Sequence, residues 1–137
     1  MTDGTDADDA DRENAEVVAL ANRLLDGARR GDTELVAAYV DAGVPVDLAG
    51  EAGDTLLMLA AYHGHPETVQ ALVDRGADPN LANAKGQTPL AGAVFKGFVD
   101  VVRVLAANGA DPDAGTPSAR AAAQMFDRQD LLAVIDR

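Results

Sequence analysis

The only two histidines of the chain, His63 and His65, stand in a His-x-His pattern, a spacing that can bind a transition metal. A structural metal site needs further ligands, and no third ligand is evident in the sequence near this pair. The chain also contains no cysteine, which excludes thiolate sites and disulfides. We therefore predict no metal site, and metal binding by the two histidines is kept as the minor alternative.

Catalytic groups are equally hard to assemble. Ser118 is the only serine, and a Ser-His-Asp arrangement would have to join it to histidines more than fifty residues earlier. Gly92 and Gly97 have the spacing of a phosphate-binding loop, but Phe98 follows where that loop requires a lysine. The abundant aspartates lie at predicted turns and helix starts, where capping explains them. We predict a protein that is not an enzyme and has no cofactor.

The formal net charge is −12, which argues against nucleic-acid backbones and anionic membrane surfaces as partners. Residues 1–14 are acidic and lack large apolar side chains after Met1, so we predict a disordered acidic tail. Asp6 cannot start a calcium loop of the EF-hand type, because Asp11 and Val17 occupy the positions of its glycine and its glutamate. No apolar run is long enough to span a membrane, and the N-terminus has no signal-peptide character, so the expected location is cytoplasmic.

From residue 15 onward the sequence repeats with a period of 33. Two glycine columns, four apolar columns and one polar column keep this register. They comprise Gly31, Gly64 and Gly97; Gly43, Gly76 and Gly109; Leu24, Leu57 and Leu90; Gly27, Ala60 and Ala93; Val36, Val69 and Val102; Tyr39, Leu72 and Leu105; and Asp47, Asn80 and Asp113.

Each period predicts two short helices and a turn. In the second period, Asp54 or Thr55 caps a first helix that ends at Gly64. Pro66 then opens a second helix, which Gly76 closes with a positive φ. Helices of about ten residues are marginal alone, so the units must stack on one another.

At these residues the chain resembles the ankyrin-repeat family. The segments that carry the resemblance are GQTPLAGAVFKG at 86–97, AAYHGH at 60–65, GADPN at 76–80 and GADPD at 109–113. The chain is also similar to compact bacterial proteins made of little but this array. The resemblance implies an all-α solenoid, and for His65, at the family's Gly-His position, it implies a structural role.

Departures from the family pattern define the two ends. Met58 and Ala91 replace the histidine that ties turn to helix in the family, so those links must be made by other groups. The first unit lacks the Thr-Pro opening; its first helix is expected to reach back to about Asn14, with Val17, Val18 and Leu24 on its packed side. We predict an N-terminal cap at 15–49, repeats at 50–82 and 83–115, and a C-terminal cap of two helices at 116–137.

The resemblance also implies a binding face, because partners of the family usually meet the concave surface formed by turn tips and first helices. Carried over position by position, this face comprises Arg29, Arg30, Tyr62, His63, Phe95 and Lys96 on the helices, Glu51, Ala52, Asp54, Ala84, Lys85 and Gln87 on the turns, and Arg75 and Asn108 at the ends of second helices.

Tyr62 and Phe95 are 33 residues apart, so stacking places them side by side. They serve either as interface anchors or as core side chains, and the sequence leaves both open. The basic groups on the same face favour an acidic peptide or protein surface as the partner. We predict a monomeric, non-catalytic protein-binding module that works as adaptor, inhibitor or accessory subunit. The alternative is that its acidic surface mimics nucleic acid or occupies a basic protein site.

Overall fold

The computed structural model describes the backbone of residues 3–136 and the side chains of residues 10–136. Within this range the chain forms eight helices and no regular strand, apart from one isolated bridge between Ala49 and Thr55. The helices are α1 (Asp3–Arg30), α2 (Thr33–Asp41), α3 (Leu56–Tyr62), α4 (Pro66–Asp74), α5 (Pro89–Lys96), α6 (Val99–Ala107), α7 (Ala119–Met125) and α8 (Gln129–Ile135).

The helices pair into four hairpins that stack in chain order. The first helices form one row (α1, α3, α5, α7) and the second helices form another (α2, α4, α6, α8), and each helix packs on its neighbours in its row and on its hairpin partner. Leu24, Leu57 and Leu90 are almost fully buried between the rows, as are Val69 and Val102. The predicted all-α solenoid of stacked helical hairpins is therefore confirmed, including the two short helices of the C-terminal unit.

The N-terminal segment differs from the sequence prediction. Helix α1 begins at Asp3, whereas we predicted a disordered tail over 1–14; the predictions for Met1 and Thr2 lie outside the described residues. Adding residues to a helix that is already nucleated costs little free energy. Carboxylates near a helix N-terminus also interact favourably with the helix dipole. An acidic segment can therefore continue α1. Side chains 10–19 are all exposed, including Val17 and Val18, because α3 is too short to cover them.

Threonine and serine hydroxyls start the first helices. Thr55 Oγ1 accepts the backbone N–H of Met58 (3.0 Å), and Thr88 Oγ1 accepts that of Ala91 (3.2 Å). Ser118 Oγ accepts the N–H of Ala121 (3.1 Å), which gives the only serine a capping position. These bonds satisfy N–H groups that have no partner inside a helix. They tie turn to helix where the sequence lacks the expected histidine.

The polar column links successive units. Asp47 accepts the backbone N–H of Asp78 (3.1 Å), and Asn80 Oδ1 accepts that of Asp111 (2.7 Å). Asp113, the last member, instead pairs with Arg120 at 2.8 Å. The column therefore repeats because each member bonds to the unit that follows it.

Gly31 and Gly64, which follow the first helices of the first two units, are each packed against a ring side chain of the next unit. A Cβ built on Gly31 would lie 2.5 Å from the His65 ring, and one on Gly64 would lie 3.0 Å from the ring of Phe98. Both glycines have positive φ angles (75° and 80°). Each glycine is therefore fixed by its backbone conformation and by a side chain of the next unit.

Gly31→Ala is expected to destabilise the protein more than Gly76→Ala. Gly76 has a φ of 93°, as predicted, but no atom lies within 4 Å of the place that a Cβ would occupy, so alanine there meets only backbone strain of about 1–2 kcal/mol. At Gly31 the same strain adds to a collision with His65. Urea unfolding of both variants measures the difference, and equal midpoints would contradict the proposed contact.

Candidate functional site

A cleft of about 280 Å³ opens between the first helices and the turn tips, and we call it the polar pocket. It brings together six of the residues that the sequence predicted for the binding face, together with two side chains that it did not. The lining residues are Arg29, Asp54, Met58, Leu59, Tyr62, His63, Lys85 and Gln87.

The turn tips that form one wall are joined by backbone hydrogen bonds. Ala84 N–H donates to the carbonyl of Ala52 (2.9 Å), and Thr116 N–H donates to the carbonyl of Gly86 (3.0 Å). Asn83 braces the middle tip, because its Nδ2 donates to Asp54 Oδ1 at 2.7 Å. The tips therefore form a continuous wall.

A second, smaller pocket of about 120 Å³ adjoins the first, and we call it the apolar pocket. Tyr62 and Gln87 line both pockets, so they form the boundary between them. Gly92 forms the floor; a Cβ there would lie only 3.1 Å from Tyr62. The remaining lining residues are Ala91, Phe95, Pro117 and Ala122.

Phe95 is an exposed aromatic rather than a core side chain, with 57% of its surface accessible. Its ring meets that of Phe126 edge to face, with centroids 5.5 Å apart, and Phe126 is 47% exposed. Met125 beside it is 69% exposed. Tyr62 is half-buried and carries the Lys96 ammonium 5.1 Å above its ring, a cation–π contact.

Phe126 and Met125 were missed in the sequence prediction, although a signal for them was present. The last unit is shortened by three residues, and the spacing of 30 that aligns Asp130 with Asp100 also aligns Met125 with Phe95. Applying that shorter spacing to the aromatic column would have extended the exposed apolar surface into the C-terminal cap.

Seven residues of the predicted binding face line neither pocket: Arg30, Glu51, Ala52, Arg75, Ala84, Lys96 and Asn108. Arg30 is exposed at the end of α1, and Glu51 is exposed at a turn tip. Arg75 makes a bidentate ion pair with Asp41, in which Nε donates to Oδ1 (2.9 Å) and Nη2 donates to Oδ2 (3.2 Å). Asn108 bonds to Val104 and Gln70 in the row of second helices, so that row holds both Arg75 and Asn108.

The two histidines lie in different surroundings. His65 Nε2 donates to the carbonyl of Arg29 at 2.7 Å, which ties two units together. His63 lines the polar pocket, where partial burial and the nearby charges of Arg29, His65 and Lys96 lower its pKa below the usual 6.5. Among the described side chains, no three histidine, aspartate or glutamate groups converge as a metal site would require.

His63 is therefore expected to titrate below pH 6.5, and Arg29→Gln is expected to move its midpoint upward. The neutral imidazole is favoured in the folded state, so this contribution to stability is present above pH 6.5 and is lost as the pH falls through the folded pKa. Imidazole NMR shifts measured against pH give the midpoint directly. A midpoint at or above 6.5 would contradict this electrostatic description.

The stacked hairpins, continuous turn wall and open cleft define a helical-repeat solenoid with an extended surface along its first helices and turn tips. A family model for ankyrin repeats in three copies matches residues 24–116, and the chain belongs to the ankyrin-repeat family. No curated protein matches the sequence. Among the described helices, none has the length and apolarity that crossing a membrane requires.

Ankyrin repeats are generally protein–protein interaction modules and are typically non-enzymatic. Family membership therefore assigns the chain to a class of binding proteins.

Proposed function

We propose that this protein is a non-catalytic module that binds a partner protein in the cleft between its first helices and turn tips. It acts there as an adaptor, an inhibitor or an accessory subunit. The observation that carries the proposal is the exposed aromatic pair Phe95 and Phe126 beside that cleft. Exposed apolar surface rimmed by polar groups is a common mark of protein interfaces.

The charge of the cleft supports an acidic surface on the partner. Lys85 and Lys96 are the only lysines in the chain, and both lie at the cleft. Neither makes an ion pair among the described residues, whereas Arg75 and Arg120 are each paired with aspartate away from it. Unpaired cations steer an acidic partner and orient it on arrival.

Replacing Tyr62 and Phe95 together by alanine is expected to weaken partner binding by about 30-fold or more, because buried aromatics dominate interface energies. The partner is first captured from native lysate on the immobilised protein and identified, and its affinity is then measured by titration. Circular dichroism must show that helical content is retained.

The matched control is Arg75→Ala with Asn108→Ala, which alters two polar side chains in the row of second helices. We expect this control to bind as the wild type does. Equal losses in both variants would contradict a site in the cleft. Loss only on charge reversal at Asp11, Glu13 and Glu16 would instead support the acidic surface as the active feature.

A further inference from the structure

The cleft is divided chemically at Tyr62. On one side the polar pocket is lined by Arg29, His63 and Lys85, and Lys96 lies over the Tyr62 ring. On the other side the apolar pocket has walls of Phe95 and Pro117, with Gly92 as its floor. Because the two pockets share Tyr62 and Gln87, one short segment of a partner can reach both.

The polar pocket is suited to a carboxylate. Arg29 is already paired with Asp26, but the ammonium groups of Lys85 and Lys96 have no ion pair among the described residues. Asp54 is the one carboxylate in the lining, and it accepts the Asn83 amide. The chain has a net charge of −12, and its only two lysines lie at this cleft, so an incoming carboxylate meets favourable charge here.

The apolar pocket is suited to one large hydrophobic side chain. The pocket has a volume of about 120 Å³, and all its lining residues except Tyr62 and Gln87 are apolar or glycine. Gly92 packs closely on its neighbours, since a Cβ there would lie 3.1 Å from Met58 and Tyr62. Phe95, Phe126 and Met125 extend the apolar surface beyond the pocket rim. An aliphatic or aromatic side chain placed here covers surface that is otherwise exposed to water.

We infer that the cleft recognises a partner segment in which an acidic residue lies close to a large apolar residue, with the carboxylate toward Lys85 and Lys96 and the apolar side chain against Phe95. This inference rests on the proposed function and specifies the chemistry of its partner. The two pockets act together: neither a carboxylate nor an apolar side chain alone satisfies the site.

The test is an NMR titration of the full chain with acetylated, amidated peptides in which glutamate and leucine are separated by zero to three glycines. For the spacing that binds best, we compare variants with glutamine or lysine for glutamate, and with serine for leucine. We expect backbone amide shifts at Tyr62, Gln87 and Gly92. We expect the glutamate–leucine peptide to bind at least tenfold more tightly than any of its variants, and high salt to weaken it.

Two protein variants separate the pockets. Lys85→Gln with Lys96→Gln is expected to remove the preference for glutamate but to keep the preference for leucine. Phe95→Ser is expected to do the reverse. Folding of both variants is checked by the unchanged amide shifts of α4 and α6.

Equal binding of the lysine and glutamate peptides overturns the inference, as does the absence of cleft shifts with every peptide at millimolar concentration. If this happens while Tyr62→Ala with Phe95→Ala still releases the captured partner, the proposed function stands and only the chemistry assigned to the partner falls. If the captured partner is indifferent to that double substitution, the proposed function itself is wrong.

Discussion

Leu57→Ala is expected to lower the free energy of unfolding by about 3 kcal/mol, because it empties the centre of the stack. Leu57 is fully buried in α3, which packs on α1, α4 and α5 at once. Such a helix cannot close the space without loosening its contacts with three neighbours. For a chain of this length we expect the melting temperature to fall by roughly 10 °C, measured by circular dichroism.

The matched control is Leu81→Ala, which removes the same atoms from a leucine that is 38% exposed in a turn. There we expect less than about 1 kcal/mol. If both variants melt at the same temperature, Leu57 is not the shared core position that the stacked hairpins require.

Removing residues 116–137 is expected to abolish cooperative unfolding and to cause aggregation. Helix α7 covers α5 and α8 covers α6, so the deletion uncovers the apolar faces of the third hairpin, including Leu90 and Leu105. Terminal units of repeat proteins keep such faces from water, and without them the array is poorly soluble. Calorimetry and light scattering of the shortened chain measure both effects.

Deleting residues 1–16 is the corresponding control at the other end. The described side chains of this segment are exposed, and the buried leucines Leu24 and Leu25 remain in place. We expect the melting temperature to stay within a few degrees of the full chain. A large loss here would mean that the N-terminal part of α1 supports the fold, contrary to its exposure.

Much of the scaffold could be predicted from the sequence. The residues that repeat every 33 positions are the ones that each turn, helix cap and buried position requires locally. The glycines after the helices have positive φ, and Thr55 and Thr88 act as caps by the short-range bonds that such residues make. Leu57 and Leu90 are buried at the spacing that the repeat demands. Each of these features depends on a few neighbouring residues that recur.

The candidate site was predicted less completely, because it depends on the ends of the array and on long-range pairing. Phe126 meets Phe95 across two units, 31 residues apart, a contact that the 33-residue spacing does not indicate. Arg75 was placed on the binding face from its position alone, yet its direction is set by Asp41, 34 residues earlier. Helix α1 begins at Asp3 because the helix extends from its packed part into the acidic segment. No residue pattern within that segment indicates this extension.

The main-chain bonds between Ala84 and Ala52, and between Thr116 and Gly86, hold the tips without using the outward side chains of Glu51 or Lys85. Those outward positions are therefore open to combinatorial randomisation while the scaffold stays intact. A display library built on them offers a route to new specificities, with the stacked leucines left untouched.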